Sequence, residues 1–504
     1  MKRIAVILCW IAVAVTGILL RFDDLAKRPV HADEATGARI TATRMAGGGK
    51  FDPKHYHGPL LGDLAIPLCR ARGEHGWKSM TKESLRILPA AAGSLVLLLP
   101  LCWRRRFGDG PMLLAAACLA TSPLLVYYSR MFIHEMLLVL FGMLAVVTFG
   151  WKPKWGLTGI LLGLMFAVKE TFAISVMAWS GAALLLALEN RRALAAGWRD
   201  RQAWLVPAAI SGATAVLTAL VFYTRGFTHL EGAVDAVKTY FVYEVVTGHD
   251  KPFGYYFDFL AVPANAAGLW WFESGVLVLA LAAFGMSFAK QPAAVAGNQA
   301  GEKLAVRFLA YSAAGHFLIY SVISYKTPWL ACLPWAHVCL LAGFAVHRFA
   351  RRRILPKAAL GVLAVAALIL QTRLARQATG RLEADERNPY AYSPTQQDVE
   401  RLAVWFGKIR AVTPAGALEP AAVVGTDYWP LPWYLREFAR VGYWADAPTG
   451  LDQMPVVLVM TEHEAEVNAA LAATHVSLPR GLRADVPVVV FLRNDIWQAW
   501  MNAD

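Results

Sequence analysis

Apolar stretches of bilayer length alternate along this chain with short loops rich in arginine and lysine, and that alternation limits the folds open to it. The stretches lie near 4–20, 85–103, 111–128, 135–150, 156–188, 202–223, 266–289, 308–323, 329–346 and 357–371. A helix needs about 20 apolar residues to cross a hydrocarbon core of about 30 Å. Of the 504 residues, 57% are hydrophobic and 17% charged, where soluble domains have about 45–50% and 25%. A net charge of +13 would point to nucleic acid in a soluble protein. Here the basic residues sit between apolar runs, so membrane topology explains them and a nucleic-acid partner is excluded. The six cysteines show no CxxC spacing and lie mostly in or beside apolar runs, which argues against a disulfide framework. Met1-Lys2-Arg3 with the first run reads as an uncleaved span, because no A-x-A-like site precedes Arg21.

With the N-terminus cytoplasmic, the first span delivers a long polar loop, 21–84, to the outside. The second returns to Arg104, Arg105 and Arg106; the third and fourth go out to Tyr127–Arg130 and back to Lys152 and Lys154. The run 156–188 would make a helix about 50 Å long, too long for one crossing. Arg191, Arg192, Arg199 and Arg201 follow it, so both flanks are basic and an even number of crossings is required. It therefore splits into two spans that turn outside at Lys169 and Glu170. A second outer loop, 224–265, carries Glu231, Asp235, Glu244 and Asp258, and the loop after it holds Lys290, Lys303 and Arg307. A span then emerges at Tyr325-Lys326, the next ends in Arg348 and Arg351-Arg352-Arg353, and the last leaves the tail outside.

These counts predict a polytopic α-helical membrane protein with about eleven spans over 1–371, followed by a small extracytoplasmic α/β domain over 372–504. In that tail the β-rich runs 421–425, 456–460 and 488–492 alternate with helical stretches 395–410 and 462–473. The predicted location is the cytoplasmic (inner) membrane.

Lys and Arg alone set the spans, yet the acidic residues fall into a pattern. His31-Ala32-Asp33-Glu34, Tyr127 to Arg130 with His134-Glu135, Lys169-Glu170 and Tyr325-Lys326 all land at outer ends of spans. Each charge near hydrocarbon costs about 2.5–3.5 kcal/mol and persists where it faces a cavity or a partner. Together they predict a water-accessible pocket at the outer interface. Adjacent carboxylates supply a general base or hold a cation; Arg and Lys suit a phosphate on a membrane-anchored substrate. No GxxxxGK[ST] occurs, and Gly47-Gly48-Gly49 does not join a strand to a helix, so no nucleotide site is expected. His31, Asp33, His134 and Glu135 are the weak candidates for a divalent metal ion, the one cofactor left open.

The Asp-Glu pair in the first outer loop resembles that of the GT-C superfamily of polyprenyl-phosphate-sugar glycosyltransferases, which includes protein O-mannosyltransferases and lipid A aminoarabinose transferases. Further motifs are Asp52-Pro53-Lys54-His55-Tyr56-His57-Gly58-Pro59, Tyr127-Tyr128-Ser129-Arg130, Val168-Lys169-Glu170-Thr171 and Tyr325-Lys326-Thr327-Pro328-Trp329. With Asn388-Pro389-Tyr390 and Asp427-Tyr428-Trp429-Pro430-Leu431-Pro432-Trp433-Tyr434-Leu435-Arg436 in the tail, they look like the flippase-activity-associated family of archaeal glycosylation clusters, which has bacterial members. The resemblance implies an inverting transfer from a polyprenyl-phosphate sugar to a hydroxyl of a protein, glycan or lipid acceptor at the outer face. Asp33 would activate the acceptor with Glu34 beside it. Arg130, Lys169, Glu170, Lys326, Tyr325, His57 and Tyr128 would bind donor phosphate and substrate. The alternative is a transporter or flippase, or a non-catalytic partner, for lipid-linked sugars.

Overall fold

The structure, a computed structural model, describes residues 2–48, 50–149, 154–191, 202–242, 248–288, 293–346 and 357–503. Gly49, Lys152, Arg192, Arg199, Arg201, Glu244, Lys290, Arg348 and Arg351 to Arg353 lie outside the described residues. In chain order the helices begin with α1 Lys2–Phe22, α2 Ala32–Met45, α3 Leu60–Ala71, α4 Lys82–Val96, α5 Pro100–Phe107 and α6 Asp109–Thr121. They continue with α7 Pro123–Tyr128, α8 Glu135–Phe149, α9 Trp155–Val168, α10 Phe172–Glu189, α11 Gln202–Tyr223, α12 Glu231–Val242 and α13 Tyr255–Ala261. A hairpin, β1 Ala264–Ala266 and β2 Leu269–Trp271, precedes α14 Ser274–Ser287, α15 Ala293–Val322, α16 Cys332–Gly343 and α17 Lys357–Thr379. The tail holds α18 Gln397–Val412, β3 Ala421–Val424, α19 Leu431–Tyr434, β4 Val441–Trp444, β5 Val456–Met460, α20 Glu464–Leu471, β6 His475–Arg483, β7 Val486–Arg493 and α21 Asn494–Met501.

The contacts divide the chain into two units. The first comprises Met1–Leu25, Gly48–Leu68 and Arg86–Arg381; the second comprises Ala26–Gly47, Cys69–Leu85 and Leu382–Asp504. The sequence boundary at 371 assigned 26–47 and 69–85 to the membrane part, whereas these stretches pack with the tail.

The first unit is helical. Six stretches among the described residues are long and apolar enough to cross a membrane: Arg3–Phe22, Lys82–Phe107, Phe172–Glu189, Trp204–Tyr223, Pro328–Val346 and Ala358–Thr379. Four shorter apolar helices, α6, α8, α9 and α14, accompany them. On α1 the side chains of Ile4, Ile7, Leu8 and Ile11 are exposed, the outward apolar face of a helix meant for lipid. Where helices pack, small residues let backbones touch. Gly159 and Gly163 of α9 form a GxxxG pair whose missing Cβ atoms would lie 2.1 Å from the Ser211 carbonyl oxygen and 2.4 Å from that of Ala215 on α11.

The run expected as one span, 111–128, is two helices. Ser122 is extended, with ψ 118°, and its hydroxyl accepts from the Leu125 N–H while Pro123 opens α7. The expected span 266–289 begins only at Ser274, because 264–271 forms the hairpin. Two buried charges hold this unit together. Arg21 donates to the carbonyls of Gly17, Leu119 and Ala120 and to Ser129 Oγ. Glu273 accepts from Ser122 Oγ (2.7 Å), the Leu124 N–H, Trp335 Nε1 (2.8 Å) and Gln371 Nε2. Multiple hydrogen bonds are what make a buried charge tolerable.

The second unit is built on a five-stranded sheet of order β4-β3-β5-β7-β6. β3 runs parallel to β4 and β5, while β7 is antiparallel to β5 and β6. β3 and β5 are buried along their whole length, so they read as unbroken apolar runs. With Leu451, Val467, Leu471 and Phe491 they form the core. The sequence reading missed β4 and β6. β4 is a four-residue edge strand containing a glycine, and β6 carries Pro479 and a bulge near Gly481, both edge-strand features that break the apolar pattern.

Candidate functional site

In the second unit, the acidic pair opens α2. His31 is the N-cap: its Nδ1 accepts the Asp33 N–H (3.1 Å) and Glu34 Oε2 accepts the His31 N–H (3.0 Å), a reciprocal capping box. His31 Nε2–H donates to the Tyr392 carbonyl at 3.1 Å, which fixes the tautomer. Burial lowers the pKa of this imidazole, more than Asp33 and Glu34 raise it. Arg28 lies 3.8 Å from Glu34. The two neighbours thus have different surroundings: Glu34 is 2% exposed, whereas the Asp33 side chain is 52% exposed at the positive end of the helix. The segment is anchored by Val30, whose N–H donates to the Tyr434 hydroxyl (2.7 Å) and whose carbonyl accepts from Thr395 Oγ1 (2.7 Å).

In the first unit, the remaining motifs meet around the break between α9 and α10. Lys169 leaves the helix in an extended conformation, φ −160° and ψ 138°, which sends two consecutive charges to different partners. Lys169 Nζ donates to Glu135 Oε1 at 2.6 Å, both side chains being buried. Glu170 Oε2 accepts from His57 Nδ1–H at 3.0 Å, and the Glu170 carbonyl accepts from the Tyr240 hydroxyl. The His57 ring stands edge-on to His134, 5.1 Å between centroids. The loop can come this close because residue 58 is glycine: a Cβ there would lie 2.2 Å from the Ala167 carbonyl oxygen. Burial raises the Glu170 pKa, but the charge and hydrogen bond of His57 outweigh it and bring the carboxyl down to about 2. Burial, then His57 and Lys169, hold His134 well below the usual imidazole range.

The other predicted cations have different surroundings. Arg130 donates to the carbonyls of Leu20, Arg21 and Asp24, where cationic donors complement the C-terminal end of α1. Lys326 is 1% exposed, and its ammonium donates to the carbonyls of Ile323 (2.5 Å) and Lys251 (3.0 Å). Both partners are neutral, unlike the carboxylate that meets Lys169. Tyr325 forms a backbone bridge with Asp250 and packs its ring against His249. Tyr128 is a core ring, edge-on to Trp329.

Sequence reasoning passed over Tyr223 and Tyr240 near Glu170, and Glu273, His316 and His337 inside the helical unit. The last three had a signal: ionisable residues in or beside apolar runs are rare and have reasons to be there. Among the described residues no group of three or more His, Cys, Asp or Glu side chains is arranged to hold a metal ion.

No protein-family model matches the chain, and no curated protein sequence matches it significantly. Solved structures do resemble it. ArnT from Cupriavidus metallidurans in the apo state superposes with a TM-score of 0.62 at 14% identity, covering 98% of this chain and 99% of that one. The same protein bound to undecaprenyl phosphate gives 0.62 at 13% identity over 97% and 98%. The Archaeoglobus fulgidus oligosaccharyltransferase tethered with an acceptor peptide gives 0.55 at 14% identity, over 99% of this chain and 77% of that one. The class is thereby defined: a helical membrane protein of the GT-C fold. Within that class this chain resembles ArnT over nearly the full length of both.

Proposed function

We propose that this protein is an inverting glycosyltransferase that moves a sugar from a polyprenyl-phosphate carrier to an acceptor hydroxyl at the outer face of the cytoplasmic membrane. The observation that carries the reading is the division of labour within the acidic pair: Glu34 is buried in the helix cap, while Asp33 stays open to solvent at the same helix end. The acceptor oxygen attacks the anomeric carbon, the bond to the phosphate oxygen breaks, and Asp33 takes the hydroxyl proton. Polyprenyl phosphate departs with one more negative charge. Lys326 is the group best suited to stabilise it, because a buried ammonium on two neutral carbonyls lacks a compensating anion among its described partners. Lys169, neutralised by Glu135, acts as a positioning residue. Glu170 and His57 form the polar wall beside it, and Arg130 ties the same region to α1.

The GT-C fold, shared with a structure holding undecaprenyl phosphate and one holding dolichol phosphate, supports the choice of carrier. The basic loops support eleven crossings, with 372–504 on the extracytoplasmic side. The metal candidates do not fit a divalent site: Glu135 is taken by Lys169, and His31 Nδ1 by the Asp33 N–H. No step is therefore assigned to a metal.

The test is sugar transfer by purified protein from labelled polyprenyl-phosphate sugars, across a panel of sugars. Asp33→Asn should lower turnover by about 10²-fold or more with folding intact, and Lys326→Met should lower it similarly. Unchanged turnover in Asp33→Asn rejects the assignment. Absence of transfer by folded wild type with every donor favours the transporter or partner reading.

A further inference from the structure

Deeper in the helical unit, α10 and α15 run antiparallel with polar residues one turn apart on facing sides. From the Thr171 cap into α10, Thr171, Ser175 and Trp179 recur every fourth residue; Ser312, His316 and Tyr320 do so on α15. Three contacts set the register. A Cβ on Gly315 would meet Ala178 at 3.4 Å, the Trp179 ring lies 6.1 Å from that of His316, and the Tyr320 hydroxyl faces Thr171. Ser175 therefore lies between the last two contacts, and Ser312 one turn beyond His316. From α16, His337 accepts the Trp179 indole N–H at Nε2 (3.1 Å) and donates from Nδ1 to the Leu333 carbonyl. Its ring centroid is 5.4 Å from that of His316.

Interhelical adhesion accounts for the Trp179–His337 bond, but not for what remains. His316 spends its Nδ1–H on the Ser312 carbonyl at 2.7 Å, so Nε2 carries a lone pair. That Nε2, Ser175 Oγ and Ser312 Oγ are sealed from solvent, and none has a hydrogen-bond partner among the described residues. Each unpaired group of this kind carries an uncompensated desolvation cost, larger where no bulk water is near. One lone pair with a hydroxyl on either side of it is a set that ordered waters satisfy, since each buried water makes about three hydrogen bonds.

We propose that the α10–α15–α16 interface is a hydrated polar pocket within the membrane unit. Its water is held by His316 Nε2, Ser175 and Ser312, and it is supplied from the Thr171–Tyr320 end beside the Lys169–Glu135 pair. His316 then exchanges protons with solvent although it sits about 6 Å along α15 from Tyr320 at that end, by the helical rise.

Hydroxyl-radical footprinting of the full-length protein in lipid nanodiscs tests this, because radicals form from whatever water is local. His316 should be oxidised about tenfold faster than Phe344, equally buried and packed against the Phe107 ring. Ser175→Ala/Ser312→Ala should slow His316 by about threefold or more and leave Phe344 unchanged. Oxidation of wild-type His316 at the rate of Phe344 would show a dry interface and overturn the proposal. An unchanged His316 rate in the folded double variant would overturn the role of the serines. If that variant does not fold, the wild-type ratio alone decides.

Discussion

Asp33 and Glu34 are chemically alike, and only their neighbours separate them. The Glu34 carboxylate accepts the His31 N–H within the cap; truncating it to alanine should cost about 1 kcal/mol or more, as loss of a helix cap does. A thermal shift in detergent reads that cost, and Glu34→Gln, which keeps an acceptor, should recover most of it. His31 adds a pH dependence. Its folded pKa lies below the ordinary value of about 6.5, so the unfolded chain binds the proton more readily. The stability it confers is present above about pH 6.5 and is lost as pH falls below that, when a proton on Nδ1 would displace the Asp33 N–H. His31→Asn, which caps without titrating, should flatten the fall in melting temperature between about pH 7.5 and 5.5. An undiminished slope in that variant would assign the effect to other groups.

At the scale of elements, the decisive feature is the break between α9 and α10. No glycine or proline makes it; Lys169 turns out of the helix and finds Glu135 on α8. Lys169→Met leaves a carboxylate buried alone and should destabilise by about 3–5 kcal/mol, whereas Lys169→Met/Glu135→Leu should regain most of that. Denaturant titration of both variants checks this, and equal losses would mean that the pair does not act as a unit. Gly58 is the matching constraint on the loop. Gly58→Ala forces a Cβ to within 2.2 Å of the Ala167 carbonyl, so the loop must retreat and the His57–Glu170 bond should break. Transfer activity should then fall with His57→Ala to a similar level, and retention of full activity would show that the bond is dispensable.

At the scale of the whole molecule, the predictions concern sidedness. In a chain cleared of its native cysteines, Asp446→Cys in the second unit should react with an impermeant maleimide on intact cells. Arg105→Cys, exposed on α5, should react only after permeabilisation. Reversed labelling would invert the topology and the face on which transfer is proposed.

Much of this was legible in the sequence, for a physical reason. Bilayer insertion is decided by local hydrophobicity and by the charge of short loops, so the apolar helices, the turn at Lys169-Glu170 and the strands at 421–424 and 456–460 could be read from contiguous residues. Partnerships across the chain could not. Nothing local distinguishes Glu34 from Asp33, or tells that Lys169 meets a carboxylate while Lys326 meets only carbonyls. Nor does composition reveal that 26–47 packs with residues some 350 positions later. The sequence by itself determined that the chain enters a membrane, because transfer free energy sums over adjacent residues. Which of its charges are compensated was decided only by the tertiary structure, because compensation depends on a few ångströms between groups that the chain order keeps far apart.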